Sequence, residues 1–317
     1  MDHPFQECPP NEGERLDRYL ARLFGPGLSR AQLHRAIDEG RILLRGRKAA
    51  KGAKLSPSDA AALEDRGLAE WASAGASGAA ANGDVTLDVV YEDEELLGLC
   101  KPAGMPVQPI RPDECGTLVN GLLALHPELA GLGGDPLCPA VLHRIDIATS
   151  GLVLAARTPR AYKFLREEFR LFRVQKRYLA VAEGRLAAPG RSDTPLVHAT
   201  RSPCKMRPAR PGDAAGDDGR RLFPASTAWT PLAYDPALDR TLLDVLILTG
   251  VTHQIRCHLA AAGHPLVGDA LYGRGPVPGM QQGHALHSWR AIFRHPATGS
   301  ETSIEAPPPP DFPMSPP

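Results

Sequence analysis

The sequence, which is 317 residues long, predicts an α+β protein built from two units of unequal size. Strand and helix patterns are mixed along it, without the regular alternation of a parallel βαβ sheet. Residues 72–83 are Ala, Gly, Ser and Asn alone, a flexible-linker composition that separates a small N-terminal unit from a larger one. The chain contains 43% hydrophobic residues, and none of its apolar stretches approaches the roughly 18 residues of a membrane span.

The N-terminal unit, residues 13–65, is predicted to hold two helices and a basic hairpin. The first helix is expected over 15–24, where apolar side chains recur at helical spacing. Ser29 is expected to cap a second helix that stops at Gly40, and a strand over 42–44 leads into a turn. Basic side chains here predict a phosphate-binding face, which comprises Arg30, Arg35, Arg41, Arg45, Arg47 and Lys48.

The larger unit, predicted over 85–312, begins with two strands joined by an acidic turn, Glu92 to Glu95, which we interpret as facing solvent. The first two strands are expected at 85–90 and 96–100, and later ones at 152–156, 178–182 and 242–248. Helices are expected at 158–172, with Thr158 as its cap, and at 253–262, before Gly263. We assign a polar N-terminal tail, a flexible linker and a C-terminal tail to 1–12, 66–84 and 313–317.

Charge is distributed unevenly, although 36 basic and 36 acidic residues balance overall. Residues 13–59 hold 11 basic and 5 acidic side chains, a net charge of +6. Residues 60–100 have a net charge of −8, and residues 141–210 a net charge of +10. The neutral total therefore does not exclude an anionic partner, whose binding would weaken steeply as salt rises.

Six scattered cysteines show neither a Cys-x-x-Cys pair nor zinc-ligand spacing with histidine. This predicts a reduced, cytoplasmic protein without a metal site. The polar start of the chain shows no signal-peptide pattern.

Three segments stand out as candidates for chemistry. One is Lys176-Arg177-Tyr178 at the start of a strand, where Tyr178 taken alone would be a core aromatic. In His143-Arg144-Ile145-Asp146, an aspartate precedes a buried strand and can act as a nucleophile or general base, although a surface ion pair is the plainer alternative. In the segment 249–259, Gly250 permits a tight turn, Thr252 is the expected helix cap, and Arg256 lies one turn into the helix. Two histidines there are five residues apart, which does not suit a metal-ligand pair, and we expect them to be hydrogen-bonded structural residues.

The pattern "RLDRYLARLF…LSRAQLHRAIDEGRILLRGRKAAKGAKLSPSD" resembles the S-four RNA-binding domain. The larger unit resembles the RluA family of RNA pseudouridine synthases in blocks that occur in the family's order. These blocks are "VVYEDEELLGLCKPAGMPV", "LHRIDIATSGLVLAART", "FRVQKRYLAVAEG", "LTGVTHQIRCHLAAAGHPLVGDALYG" and "ALHSWRAIFRHPATGS…APPPPDF". The resemblance implies the pseudouridine synthase fold, a mixed, largely antiparallel central sheet flanked by helices and loops.

The resemblance also implies roles for matching residues. Asp146 would be the catalytic aspartate, Tyr178 would pack on the target base and take part in a later proton transfer, and Arg256 would pair with the carboxylate. Arg144 would help to hold the place of the flipped-out nucleotide, and Leu248 would lie near the apolar floor for the base. The predicted substrate-binding set is Arg144, His143, Leu248 and Lys101.

Two departures from the family pattern bear on the substrate. Val251 stands where the family usually has Arg, which predicts the loss of one RNA backbone contact. The stretch 201–221 is longer or looser than usual, and we interpret it as an RNA-facing loop.

The function implied is isomerisation of uridine in structured RNA, with large-subunit ribosomal RNA as the first expectation and transfer RNA as the alternative. No cofactor, metal or membrane is expected, and a monomer is the default. One competing hypothesis is a catalytically silent RNA-binding or ribosome-assembly factor on the same fold. Another is a small-molecule hydrolase using His143 and Asp146, although the sequence lacks a nucleophile elbow.

Overall fold

The computed structural model describes most of the chain, namely residues 4–24, 30–68, 78–199, 202–213, 221–277, 280 and 283–314. Ser29, much of the predicted linker and part of the 201–221 stretch lie outside these residues. The chain divides into two compact units, residues 1–78 with 134–136 and residues 79–133 with 137–317. Within the described ranges, none of the helices is long and apolar enough to cross a membrane.

The first unit packs three short helices and small strands around one apolar core. The helices are α1 (Pro4–Glu7), α2 (Leu16–Phe24) and α3 (Arg30–Asp38). The strands are β1 (Glu14–Arg15), β2 (Ile42–Leu44), β3 (Arg47–Lys48), β4 (Lys54–Leu55) and β5 (Leu63–Asp65), with a 3₁₀ turn over Pro57–Ala62. Strand β2 lies between β3 and β5, and β1 pairs with β4. The core includes Phe5, Leu16, Tyr19, Leu20 and Leu33.

Both predicted helices and the basic hairpin of this unit are confirmed. The turn between β2 and β3 places Arg45 and Gly46 at φ of 55° and 71°. Arg47 and Lys48 are exposed on β3, whereas the exposed Arg45 donates to Asp59 at 2.8 Å. Partly exposed Arg35 and Arg41 complete the described part of the basic face, and the side chain of Arg30 lies outside it.

The second unit is built on a nine-stranded sheet. Its first strands are β6 (Asp88–Glu92), β7 (Leu96–Lys101), β8 (Ser150–Ala156), β9 (Gln175–Glu183) and β10 (Gly190–Ser192). A separate hairpin of β11 (Leu196–Ala199) and β12 (Ser202–Pro208) follows. The later sheet strands are β13 (Thr227–Asp235), β14 (Arg240–Ile247), β15 (Leu286–Arg294) and β16 (Glu301–Glu305). Across the sheet the strand order is β10-β13-β14-β9-β15-β8-β7-β6, and β16 pairs with β15.

The sheet is largely antiparallel, and among the described strands its parallel pair is β8 with β15. Helices α4 (Leu118–Leu125), α5 (Pro159–Arg170) and α6 (Gln254–Ala261) accompany it, with a 3₁₀ turn over Pro127–Leu129. Alternate residues of β8 join different cores: Leu152 and Leu154 pack in the cluster around α5, and Val153 packs in the cluster around α4. Every residue of β8 is buried because both of its faces are covered.

The structure confirms the expected start of α5 and the expected end of α6, and it shifts one strand. Thr158 caps α5 by accepting the N–H of Ala161 at 3.0 Å, and Gly263 follows α6 with φ of 90°. The first strand begins at Asp88 rather than at residue 85.

The interpretation of the acidic turn as facing solvent was wrong for two of its members. Asp93 accepts hydrogen bonds from Tyr91 Oη and His295 Nε2, at 2.6 and 2.8 Å, and Glu95 bonds to Thr158 and Arg160. Both carboxylates therefore bind neighbouring elements together.

The stretch predicted as a loop over 201–221 is in part a strand. Residues 202–208 pair with β11, and Arg207 makes two hydrogen bonds to Asp213, at 2.6 and 2.7 Å.

Candidate active site

Asp146 lies in the short loop that leads into β8. The loop is tight because the N–H of Thr149 donates to the Asp146 carbonyl at 3.1 Å. The N–H of Gly104 fixes the next residue by donating to the Ile147 carbonyl at 2.7 Å. A quarter of the Asp146 side chain is exposed, so the carboxylate is held firmly and remains accessible.

Arg256 of α6 pairs directly with this carboxylate. Its Nη1 donates to Asp146 Oδ2 at 2.8 Å, although 110 residues separate the two in sequence. Among the described residues, Asp146 Oδ1 receives no hydrogen bond or ion pair. The arrangement orients the carboxylate through one oxygen and leaves the other free for chemistry.

Asp269 holds Arg256 from the other side and was not predicted. Its two oxygens accept from Arg256 Nε at 2.7 Å and Nη2 at 3.0 Å. Oδ1 also accepts the N–H groups of Leu271 and Tyr272. Burial alone would raise the pKa of Asp269, but the hydrogen bonds and charge of Arg256 outweigh it and keep the pKa below its ordinary value. The only sequence signal is an aspartate in a segment already matched to the family, "HPLVGDALYG".

The start of α6 differs from the prediction. Thr252 does not cap the helix; His253 occupies the cap position in the left-handed conformation, with φ of 56°. The turn is instead held by Gln254, whose Oε1 accepts from Thr249 Oγ1 at 2.8 Å and from the N–H of Val251 at 3.1 Å. This conformation brings His253 Nε2 to 3.9 Å from Asp146 Oδ2.

Tyr178 is buried in β9, opposite Ser288 of β15 and Val245 of β14. Burial raises its pKa to about 12, and the nearby charge of Asp146 acts in the same direction, while a hydrogen bond with Ser288 opposes them. The phenol is therefore neutral near pH 7 and lies within the electrostatic reach of Asp146.

Lys101, predicted to bind substrate, is completely buried. Its Nζ donates to the carbonyls of Pro102, Met105 and Ile147 at 2.8, 2.8 and 3.0 Å. Burial lowers its pKa to about 7, against the opposing attraction of Asp146. The contacts connect the end of β7 to the residue that follows Asp146.

The other predicted substrate-binding residues have different surroundings. His143 accepts the N–H of Leu154 at 3.1 Å and stacks on Phe169, and burial lowers its pKa to about 3. Arg144 is exposed and donates to Gln108 at 3.1 Å. Leu248 lies just beyond β14 and is 38% exposed. The structure therefore brings Asp146 and Arg256 into contact and ties His143 to the backbone of β8.

The site is thus an accessible carboxylate with one paired and one free oxygen, bordered by a neutral phenol. Such a group can act as a nucleophile or as a general base. In the part of the chain that the structure describes, no group of three or more His, Cys, Asp or Glu side chains could hold a metal ion.

Comparison with known proteins places this site in a family context. A family model described as RNA pseudouridylate synthase matches residues 95–261, more than half of the chain. The chain is 33% identical to "Ribosomal large subunit pseudouridine synthase D" of Yersinia pestis, covering 95% of this chain and 89% of the relative. It is 36% identical to "Uncharacterized RNA pseudouridine synthase" of Chloroflexus aurantiacus, covering 96% of this chain and 89% of the relative.

The fold is also similar to a solved structure, "Human RNA Pseudouridylate Synthase Domain Containing 1". The TM-score is 0.54 at 24% identity, over 71% of this chain and 84% of that one.

Proposed function

The chain belongs to the RNA pseudouridine synthase family, as an isomerase of uridine in RNA, and from this premise we propose that it modifies ribosomal RNA with Asp146 as the catalytic carboxylate. One observation carries the assignment of Asp146. Arg256 pairs with Oδ2 at 2.8 Å, while Oδ1 is unpaired among the described residues and the side chain is a quarter exposed. Arg256 therefore orients the carboxylate through one oxygen and leaves the other open to substrate.

The reaction breaks the bond between N1 of the base and C1′ of the ribose, turns the base and joins C1′ to C5; C5 then loses its proton, and N1 takes one up. The target uridine leaves its stack to reach the site, which costs a few kcal/mol and least in a loop or bulge. Asp146 assists cleavage of the N1–C1′ bond. Tyr178 packs on the base as a neutral phenol; with a pKa of about 12 it is a poor base near pH 7.

Further residues have proposed supporting roles. Arg144, exposed beside the loop of Asp146, helps to hold the place vacated by the flipped nucleotide, and Leu248 contributes apolar surface near the base. His143 and Lys101 act through the backbone groups they bind rather than through substrate. The basic hairpin of the first unit is proposed to bind RNA phosphates in the manner of an S-four domain, and its exposed Arg47 and Lys48 support this.

The choice of ribosomal RNA rests on relatives whose printed names assign them to the large ribosomal subunit, such as that of Yersinia pestis. Transfer RNA is the alternative substrate. We place the protein in the cytoplasm, as a monomer, where such RNA is available.

The test is pseudouridine mapping on total RNA from cells with and without the gene, complemented by wild-type protein or by Asp146→Asn. Asparagine keeps the shape but cannot ionise, and we expect a loss of rate of at least about 10³-fold. Asp84→Asn, at an exposed turn before β6, is the matched control and should restore modification. If modification persists in cells complemented with Asp146→Asn, Asp146 is not the catalyst.

The same experiment addresses the silent RNA-binding factor. If wild-type protein binds RNA but no pseudouridine site depends on the gene, the catalytically silent alternative is correct.

A further inference from the structure

Tyr272 connects the β11–β12 hairpin to the groups that face Asp146. Its ring centroid lies 5.2 Å from the guanidinium carbon of Arg256, and its ring meets that of His253 edge-on at 5.7 Å. Its N–H donates to Asp269, the partner of Arg256, at 3.0 Å. Tyr272 therefore contacts Arg256 and His253, the two side chains that lie next to the carboxylate of Asp146.

The Tyr272 hydroxyl has two partners of different kinds. The backbone N–H of Met206, in β12, donates to its oxygen at 2.8 Å. His253 Nδ1 lies 3.1 Å from the same oxygen. The Met206 N–H already occupies one acceptor position of this oxygen, which favours the phenol as the donor to Nδ1.

This pattern selects one form of the imidazole. A neutral histidine carries a single ring proton, so an accepting Nδ1 places that proton on Nε2. Burial lowers the pKa of His253, which favours the neutral ring, and burial raises the pKa of Tyr272 to about 12, which keeps its proton in place. The charged and titratable groups around His253 are Asp146, Arg256, Asp269, Tyr272 and His284.

The hairpin holds the Met206 donor in position through an apolar cluster. Leu196 and Met206 of the hairpin are buried with Cys257 of α6. Val251, which departs from the family pattern, and Tyr272 pack against this cluster. Val251 therefore packs against the same apolar cluster that supports Tyr272.

The resulting Nε2–H lies near the carboxylate of Asp146. His253 Nε2 lies 3.9 Å from Asp146 Oδ2, the oxygen that Arg256 already binds. This separation is too long for a direct hydrogen bond, so the N–H remains free for an oxygen atom next to Asp146.

We propose that Tyr272 is a positioning residue that fixes His253 in its Nε2–H tautomer, and that His253 donates this N–H to an oxygen of the uridine held beside Asp146. The inference rests on the proposed function and adds a substrate-contacting residue to it. Tyr272 acts only through His253 and Arg256.

The first test replaces Tyr272 with Phe, which keeps the ring and removes the hydroxyl. Nitrogen-15 NMR of histidine-labelled protein reads the tautomer of His253, assigned by its absence in His253→Asn. We expect the Nε2–H form in the wild type and a mixture in Tyr272→Phe, with kcat lowered about 10- to 100-fold and KM for RNA nearly unchanged. Tyr234→Phe, which removes an exposed hydroxyl bound to Asp239, is the matched control and should match the wild type.

The second test compares two amides at position 253. The Gln amide nitrogen reaches the place of Nε2, whereas the Asn amide reaches that of Nδ1. We expect His253→Gln to keep kcat within about fivefold and His253→Asn to lose about 10- to 100-fold, with thermal unfolding measured for both.

Either of two results would overturn the proposal: an Nδ1–H tautomer in the wild type, or equal kcat for the two amide variants. Failure of the proposed function would be separate, because wild-type protein would then make no pseudouridine while the NMR spectrum would still report the tautomer.

Discussion

At the residue scale, buried lysines make the stability of the protein depend on pH. Burial lowers the pKa of Lys101 from 10.5 to about 7 and that of Lys176 to about 8. In the unfolded chain both regain ordinary values. Between pH 7 and pH 10.5 the unfolded state therefore binds more protons than the folded state, so the free energy of unfolding rises with pH in this window.

Lys101→Met should remove part of that pH dependence. The variant leaves three backbone carbonyls without their donor, and we expect the free energy of unfolding to fall by about 3 kcal/mol. Urea denaturation near pH 7 and at about pH 9 measures the change, and the difference between the variant and the wild type should widen at the higher pH. Lys176→Met, which removes a donor to the Thr249 carbonyl alone, is the matched control with a smaller loss. Parallel pH curves for wild type and Lys101→Met would contradict a lowered pKa.

The pairing of Asp146 with Arg256 could be anticipated from sequence, but the contributions of Asp269 and Tyr272 could not. Both matter because the fold packs them against Arg256, and packing between separate parts of the fold is invisible in a linear pattern. Lys101 illustrates the reverse case, since a cation near a carboxylate predicts a substrate contact until its three carbonyl partners are seen.

At the element scale, the position of the loop that carries Asp146 depends on the close approach of β8 and β15. Gly151, at the start of β8, adopts φ of 108°, and a Cβ there would lie 2.2 Å from the carbonyl oxygen of Ser288. Ser288 pairs with Gly151 in the parallel register of these strands. A side chain at this position would therefore push apart the strands directly behind Asp146.

Gly151→Ala is expected to lower the free energy of unfolding by about 3 kcal/mol or more, through both the contact and the strained backbone. Gly263→Ala is the matched control, because Gly263 also has a positive φ, of 90°, but nothing lies within 4 Å of its added Cβ. The control should lose about 1 kcal/mol. Chemical denaturation measures both, and similar losses would argue against the close strand contact.

Helices and strands could be predicted where the sequence signal comes from neighbouring residues. They were predicted less well where contacts join residues that are distant in sequence. Thr158 caps a helix through its own third neighbour, so the sequence shows the start of α5 directly. The parallel pairing of β8 with β15 joins residues 137 positions apart, such as Ser150 and His287, and no local pattern specifies it. The acidic turn was misread for the same reason, because His295, a partner of Asp93, is remote in sequence.

At the scale of the whole molecule, the net charge of zero is the sum of acidic segments and of basic segments that suit RNA binding. The net charge of +6 over residues 13–59 includes the exposed Arg47 and Lys48 of the first unit, and the +10 over residues 141–210 surrounds Asp146 in the sequence. Contacts between cations and phosphates release counterions, so RNA affinity should fall linearly on a logarithmic salt scale.

Arg47→Ala tests whether the basic hairpin contributes to this binding. If Arg47 contacts a phosphate, the variant should bind RNA more weakly at low salt, and the slope of log affinity against log salt should decrease in magnitude by about 1. The rate at saturating RNA should stay unchanged, because Arg47 lies in the first unit and Asp146 in the second.

The matched control is Lys54→Ala, which removes an exposed cation from β4 of the first unit, outside the predicted basic face. Filter binding of a ribosomal RNA fragment over a range of salt concentrations gives both slopes. Equal slopes for the two variants would show general attraction to the unit rather than a phosphate site at the hairpin, and an unchanged slope for Arg47→Ala would place RNA binding elsewhere.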